Sequence, residues 1–349
     1  MKKVVLVSFT NHSTKKVGIG AYVKGAEETL ENNDKDHECL WLTTTNDEGG
    51  GIKGFMKWVM SGVIRPAVRI LRQRKERNVY HATHSMVGYL FLFVKGKRIV
   101  TFHHMYHKSE YKTNLTWYKK WKVLTHISLL FADKIIAISP QSRDELIEYF
   151  GISPKKVVVI LNKIDPAFTT LNDIPRERTV GCVSTLLPRK NVAALIRSFS
   201  LLIKMDGMDD VRLRICGKGR EKESLTELAA SLGLSDRVEF LSDLSAEELV
   251  RFYNSISVLA TPSLHEGFGN VTIEAQRCSA PVVFFGHAEI PKEVTKCSVP
   301  CENEDDLAEK MRLLMTDEAY RERIVKAGKE YSDAFAQEHE EALLKLYNE

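Results

Sequence analysis

Short apolar runs alternate with longer amphipathic stretches along the chain. Residues 4–9, 39–43, 78–81, 98–102, 134–138 and 157–161 read as strands in the first half. Residues 179–184, 211–216, 238–241, 258–261 and 281–285 read the same way in the second. Helical periodicity fills the gaps, as at 20–32, 142–150, 191–204 and 246–255. This alternation predicts βαβ units and parallel sheets. The polar, proline-containing segment 168–179, FTTLNDIPRERT, precedes a new strand and marks a change of domain. The predicted fold is therefore α/β, with two doubly wound Rossmann-like domains at 1–170 and 171–324. Ligands of such sheets sit at the carboxyl ends of strands, and with two domains the cleft between them is the expected site.

Composition narrows the class. The 349 residues exceed one ordinary core, and 44% hydrophobic with 28% charged residues fits a soluble globular protein. No run of eighteen apolar residues offers a membrane-spanning helix. The lysines and apolar run at the start resemble a signal peptide, but the run stops at Ser8 without a cleavage site, so a buried first strand is expected. The six cysteines are scattered without a Cys-x-x-Cys pair, which predicts a reduced, cytoplasmic protein whose sequons at Asn11 and Asn114 go unused. The net charge of +4 hides an asymmetry: residues 1–170 carry +12 and the remainder −8. Residues 51–122 hold 16 basic residues and only two acidic ones, Glu76 and Glu110, so the first half should prefer anionic surfaces.

The richest stretch for chemistry is HEGFGNVTIE, 265–274, between a predicted strand and a predicted helix. Gly267 and Gly269 let backbone approach a ligand, and the helix start offers N–H groups to a phosphate. Glu266 and Glu274 could each accept two hydrogen bonds from vicinal hydroxyls. Phosphate between two hydroxyl-binding carboxylates describes a nucleotide sugar. A capping carboxylate, a solvated helix glutamate and glycines that merely turn the chain would leave the same pattern. Arg189 and Lys190 follow another predicted strand and precede a helix, where cations would neutralise a diphosphate leaving group.

PSLHEGFGNVTIEA resembles the Glu-x7-Glu motif of the retaining GT-B glycosyltransferases of family 4 (glycosyl transferase group 1). The likeness continues through VSTLLPRKNVAALIRSF, LRICGKGREKESL, VEFLSDLSAEELVRFYNSISVLATPS, ADKIIAISPQSRDELIEYFGISPKKVVVILNKID and GIGAYVKGAEETL, in the family's order. It implies a GT-B fold, with acceptor bound by the first domain and donor by the second. It also implies a final helix, about 325–349, packing back on the first domain. By resemblance Glu266 contacts sugar hydroxyls, Glu274 holds the ribose and Lys190 binds diphosphate, with Arg189 beside it as the second expected cation. The backbone of Gly267, Phe268 and Gly269 shares the diphosphate, and Gly217 ends the Gly-x-Gly donor strand. The resemblance also implies that His103 stands at the reaction centre beside the donor sugar and that Gly18 and Gly20 form the first glycine loop, and His81, at the end of another strand expected to face the cleft, could contact acceptor. The family has an arginine where this chain has Thr185, so one diphosphate contact is missing or has moved to Arg189.

His81, His84, His103, His104 and His107 cluster, but no cysteine or carboxylate pattern completes a metal site, and no metal or other cofactor is expected. GIGAYV lacks the third glycine of a dinucleotide fingerprint. Segments 53–77 and 114–122 mix Lys and Arg with Phe55, Trp58, Trp117, Tyr118 and Trp121, with Pro66 breaking or kinking the first. They suit an anionic membrane surface, hence a peripheral position at the inner face of a membrane and a lipid-linked or surface glycan as acceptor. Nucleic acid is a weaker match. Two rivals stay open: a nucleotide-sugar epimerase of the same fold, and a non-catalytic basic protein binding membrane or nucleic acid.

Overall fold

The computed structural model describes residues 3–9, 19–42, 64–72, 78–105, 115–242, 244–335 and 338–349. The chain divides into two compact units, residues 1–163 with 338–349, and residues 164–337.

The first unit is built on a parallel sheet of β1 (Val4–Ser8), β2 (His37–Trp41), β3 (Val79–Ala82), β4 (Lys97–Phe102), β5 (Lys134–Ala137) and β6 (Val157–Val159). Its strand order is β2-β1-β3-β4-β5-β6. Both faces are covered, so β1 is buried at every position. Alternate residues serve different cores. Val5 and Val7 pack with Tyr80, Val100, Trp121 and Phe150. Val4 and Leu6 pack with Ala26 and Leu30, and with Leu343, Leu346 and Tyr347 of the final helix, Glu338–Asn348.

The second unit holds β7 (Glu177–Val183), β8 (Arg212–Cys216), β9 (Val238–Leu241), β10 (Ile256–Thr261), β11 (Val282–Phe285) and β12 (Val299–Cys301). All neighbours are again parallel, in the order β12-β11-β10-β7-β8-β9. The direction of travel across the sheet reverses between the adjacent strands β7 and β10. That reversal opens a crevice at their carboxyl ends, where ligands of open parallel sheets bind. Eleven of these twelve strands across the two sheets fall on the predicted runs. The exception, β12, is a three-residue edge strand centred on Pro300, too short and too proline-bearing to register as a strand pattern.

The division of the chain differs from the expected one at two places. Residues after Lys163 already belong to the second unit, because their bonds lie there. Leu171 N donates to Asn254 Oδ1 (2.8 Å), Arg277 Nε to Phe168 O (2.9 Å), and Thr170 and Ser279 share a hydroxyl–hydroxyl bond (2.7 Å). Helix Glu318–Phe335 also stays with the second unit, with Tyr331 OH donating to Glu293 O (2.7 Å). Only residues 338–349 belong with the first unit.

That final helix is fastened by a buried polar chain. Tyr347 OH meets His81 Nδ1 (2.6 Å), His81 Nε2 meets Thr101 Oγ1 (2.8 Å), and Thr101 Oγ1 meets Tyr22 OH (2.7 Å). Burial pushes the His81 imidazole down to about 3, helped by His103 and His339, so the ring is neutral at pH 7. A neutral ring donates at one nitrogen and accepts at the other. Tyr347→Phe should leave one buried nitrogen without its partner and lower unfolding stability by about 1–3 kcal/mol in urea titrations. No loss would mean that the helix is held by its apolar contacts alone.

Candidate functional site

The loops after β7 and β10 carry the predicted donor residues to the crevice. After β7 the chain runs through Thr185 into a short 3-10 turn, Pro188–Lys190, then helix Val192–Leu202. Asn191 between them is left-handed (φ 50°), a conformation asparagine adopts more readily than most residues. After β10 the chain runs through Ser263, His265 and Glu266 to Gly269, left-handed at φ 99°, which opens helix Asn270–Arg277. A side chain at Gly269 would be strained, so this glycine is required by the backbone.

Backbone bonds bind the two loops together. Leu264 N donates to Arg189 O (2.9 Å), Glu289 N to Leu264 O (2.8 Å) and Glu266 N to Glu289 O (3.0 Å). On this frame Lys190 Nζ forms a short ion pair with Glu266 Oε1. Arg189 Nη1 lies 3.8 Å from Glu266 Oε2 and donates to His265 O (3.1 Å). Ser263 Oγ donates to Glu266 Oε1 (2.7 Å). The Lys190 and Glu266 side chains are only 12% and 14% exposed, so the pair is largely desolvated. Burial alone would raise the Glu266 carboxyl, but Lys190, Arg189 and Ser263 outweigh it and hold the group below the ordinary carboxylate range. Glu266 is therefore ionised at neutral pH.

Glu274 has a different environment. It is half-buried on helix Asn270–Arg277, and Tyr253 OH donates to its Oε2 (2.9 Å). Burial pushes this carboxyl up to about 7, Asp165 adds to the rise, and the tyrosine bond opposes it. Two carboxylates eight positions apart thus sit in opposite electrostatic states. Glu266 is fixed as an anion, whereas Glu274 changes charge near neutral pH.

The glycines of the β8 loop serve the fold. A Cβ on Gly217 would fall 1.7 Å from Ser184 O, and one on Gly219 would fall 2.1 Å from Leu186 O. Both glycines let this loop lie against the β7 loop, where Leu186 N donates to Lys218 O (2.8 Å). Thr185 is exposed on the β7 loop, and nothing cationic replaces it at its own position. Phe268 is buried, so its ring anchors the turn between Gly267 and Gly269.

In the first unit several assignments change. Gly18 lies outside the described residues. Gly20 is buried in the first turn of helix Ile19–Glu31 and forms no loop. His81 cannot meet an acceptor in this arrangement, because it is fully buried and both ring nitrogens are engaged. His103 follows β4 as expected. It is 8% exposed, donates from Nε2 to Thr83 O (2.8 Å), stacks on His84 and meets the edge of Tyr22. Burial holds its imidazole at about 4, with the Thr83 bond opposing, so it is neutral at pH 7. Residues 103–105 are not helical, and His107 lies outside the described residues.

Three contributors escaped the sequence reading. Ser263 stood in PSLHEG as an ordinary loop serine, Tyr253 looked like a core aromatic, and Glu289 lay 23 residues beyond Glu266. A hydroxyl three residues before a glutamate was the only local signal available.

The geometry can be set beside known proteins. The model of "Glycosyl transferases group 1" matches residues 168–331, and that of "Glycosyltransferase Family 4" matches residues 47–168. A D-inositol 3-phosphate glycosyltransferase of Rhodococcus opacus is 32% identical over 167 residues, covering 44% of this chain and 37% of the relative. The serotype-specific mannosyltransferase WbdA of Escherichia coli is 30% identical over 209 residues, covering 55% and 26%. The matched part of the chain thus spans well under two thirds of these relatives. Among solved structures, a sucrose-phosphate synthase of Thermosynechococcus elongatus superposes with a TM-score of 0.77 at 18% identity, covering 100% of this chain and 98% of that one. Anabaena HepE in complex with UDP-glucose superposes at 0.69 with 15% identity, covering 99% and 100%. These two likenesses speak for the fold, which is GT-B.

Proposed function

Because the chain belongs to the group 1, family 4 glycosyltransferases, we propose that it moves a sugar from a nucleoside-diphosphate sugar to an acceptor with retention of configuration. The observation that carries this is the Lys190–Glu266 pair, locked by backbone bonds at the crevice between β7 and β10. Lys190 and Arg189 hold the diphosphate, and Lys190 neutralises charge as the bond to the sugar breaks. Glu266 accepts hydrogen bonds from sugar hydroxyls. Glu274 accepts those of the ribose once it is ionised. His103, neutral and oriented by Thr83, is assigned to the donor sugar. The leaving phosphate oxygen takes the acceptor proton in a front-face substitution, so no protein nucleophile and no metal is called for.

The test is a thermal-shift and turnover screen against UDP-, GDP- and ADP-sugars. One nucleotide class should raise the melting temperature by mass action and release free nucleoside diphosphate slowly without acceptor. An α-linked donor should give an α-linked product by NMR. Binding by none of the three classes would overturn the reading. Conversion of the donor to an epimer without acceptor would replace it with the epimerase.

A lipid-linked or membrane-surface acceptor and a peripheral membrane position belong to the same proposal. Their support is a run of exposed apolar residues beside cations in the first unit. Helices Arg65–Arg72 and Leu115–Phe131 both pack on the 3-10 segment Gly88–Phe93. Together they expose Ile64, Val68, Leu71, Leu92, Leu115, Val123 and Leu130 near Arg65, Lys119, Lys120 and Lys122. Two expected features are different. Pro66 sits in the first turn of its helix, where proline starts a helix rather than breaking it. Trp121 is fully buried, so it anchors the core and not a membrane. Residues 53–63 and 73–77, with Phe55 and Trp58, lie outside the described residues. No helix among the described residues is long and apolar enough to cross a membrane. Sedimentation with anionic vesicles should retain the protein at low salt and release it as salt rises, and Val68→Asp with Val123→Asp should abolish binding. Equal binding to zwitterionic vesicles, or an unaffected variant, would remove the membrane from the proposal.

A further inference from the structure

Helix Ile19–Glu31 and the edge strand β2 bring together a side-chain group that sugar transfer does not use. Glu27 and Glu31 stand one turn apart on the helix, and His37 opens β2; one ligand atom from each lies within 4.8 Å of the others. Glu27 and His37 are half-buried, and Glu31 is exposed.

The connection between the two elements is short and bonded throughout. Lys35 N donates to Leu30 O (3.0 Å), Asp34 N to Glu31 O (3.1 Å) and Asn33 Nδ2 to Thr29 O (2.9 Å). Asp34 takes the left-handed conformation (φ 50°) that reverses the chain. His37 is thus returned beside the last helical turn by backbone geometry. Its Nδ1–H donates to Lys35 O (3.0 Å), which fixes the tautomer and leaves the lone pair on Nε2. Cys39, two residues on and on the same face of β2, donates its thiol to Glu27 Oε1 (3.0 Å). A carbonyl orienting the imidazole and a donor orienting one carboxylate are the supports that surround metal ligands.

We propose that Glu27, Glu31 and His37 form a binding site for one divalent transition-metal ion, with Zn2+ the best match and Cys39 as a supporting donor. One imidazole with two carboxylates suits Zn2+, whereas Mg2+ and Ca2+ favour all-oxygen shells. The site clamps an edge strand to the helix that packs beneath it. The proposal is independent of the sugar-transfer reading.

The test is equilibrium dialysis of the full, tag-free chain against Zn2+, with metal quantified by mass spectrometry. One equivalent should bind, and excess Mg2+ should not displace it. Glu31→Gln on the exposed helix end and His37→Gln at the half-buried start of β2 should each lower the affinity at least about tenfold, since each removes a ligand. Cys39→Val should weaken binding by about 10- to 100-fold, and Cys39→Ser by less, because the serine still donates. Zn2+ should raise the melting temperature of the wild type but not of His37→Gln. Failure of the wild type to bind, or undiminished binding by both ligand variants, would overturn the site. So would loss of binding only when the histidines at 103, 104 and 107 are replaced.

Discussion

Lys190→Ala is expected to lower kcat/KM by about 100- to 1,000-fold, with most of the loss in kcat. The reason is the position of the ammonium. It is desolvated at the end of the 3-10 turn Pro188–Lys190 and held on Glu266, within loops tied together by backbone bonds. A cation fixed before the reaction stabilises the diphosphate more as it leaves than while it is esterified, so the deficit appears in the chemical step. The same substitution should also destabilise the fold. Glu266 would keep Ser263 at 2.7 Å and Arg189 at 3.8 Å but lose the cation that outweighs its burial. Breaking a buried pair by removing one partner costs about 3–5 kcal/mol, and partial exposure here lowers that to roughly 1–3 kcal/mol. The two effects can be separated. Lys190→Met combined with Glu266→Gln removes both charges and should recover most of the stability while activity stays low. Steady-state transfer assays and urea melts of the three proteins read this directly. A Lys190→Ala enzyme with unaltered kcat would exclude Lys190 from the leaving-group site.

What the sequence made legible follows from which interactions are local. Strands such as 4–9 and 281–285 announced themselves because a parallel sheet covered on both faces demands apolar residues in nearly unbroken runs. The loops after β7 and β10 could be picked out because each follows a predicted strand and carries its own chemistry, Arg189 and Lys190 in one and Glu266 with two glycines in the other. Their mutual contact could not. Lys190 and Glu266 are 76 residues apart, and nothing in either segment says that the cation neutralises the carboxylate rather than waiting for phosphate alone. Tyr253 likewise belongs to a helix remote in sequence, and its hydroxyl reveals a role only beside Glu274. His81 shows the opposite failure. A histidine at a strand end reads as a surface group, yet Tyr347, 266 residues later, covers it. The segment 114–122 looked like an aromatic anchor because its composition was read without the helix face that turns Trp121 inward.

Glu274→Gln should produce an enzyme that is more stable at alkaline pH and much poorer at binding donor. The folded protein raises this carboxyl from the ordinary 4.5 to about 7, chiefly by burial. Between those two values the folded state binds more protons than the unfolded one, so stability falls as pH rises through that window and levels off above pH 7. The full penalty is on the order of 2–3 kcal/mol, part exposure placing it at the lower end. Glutamine keeps the shape and can still accept from Tyr253, but it carries no charge to desolvate. The variant should therefore melt near the wild type at pH 5 and a few degrees above it at pH 8. Donor binding should move the other way. Ribose hydroxyls need a carboxylate that accepts two bonds, and losing a charged acceptor costs about 1.5–3 kcal/mol, a 10- to 100-fold rise in donor KM. In the wild type the donor kcat/KM should fall about tenfold per unit below pH 7, as protonation empties the competent form. The variant should lack that limb and stay low throughout. Raised stability with an unchanged donor KM would leave the burial argument standing and remove Glu274 from the ribose. A raised KM without the alkaline gain in melting temperature would do the reverse. The two readouts thus test separately whether this carboxyl is held in an unfavourable state and whether that state serves the donor.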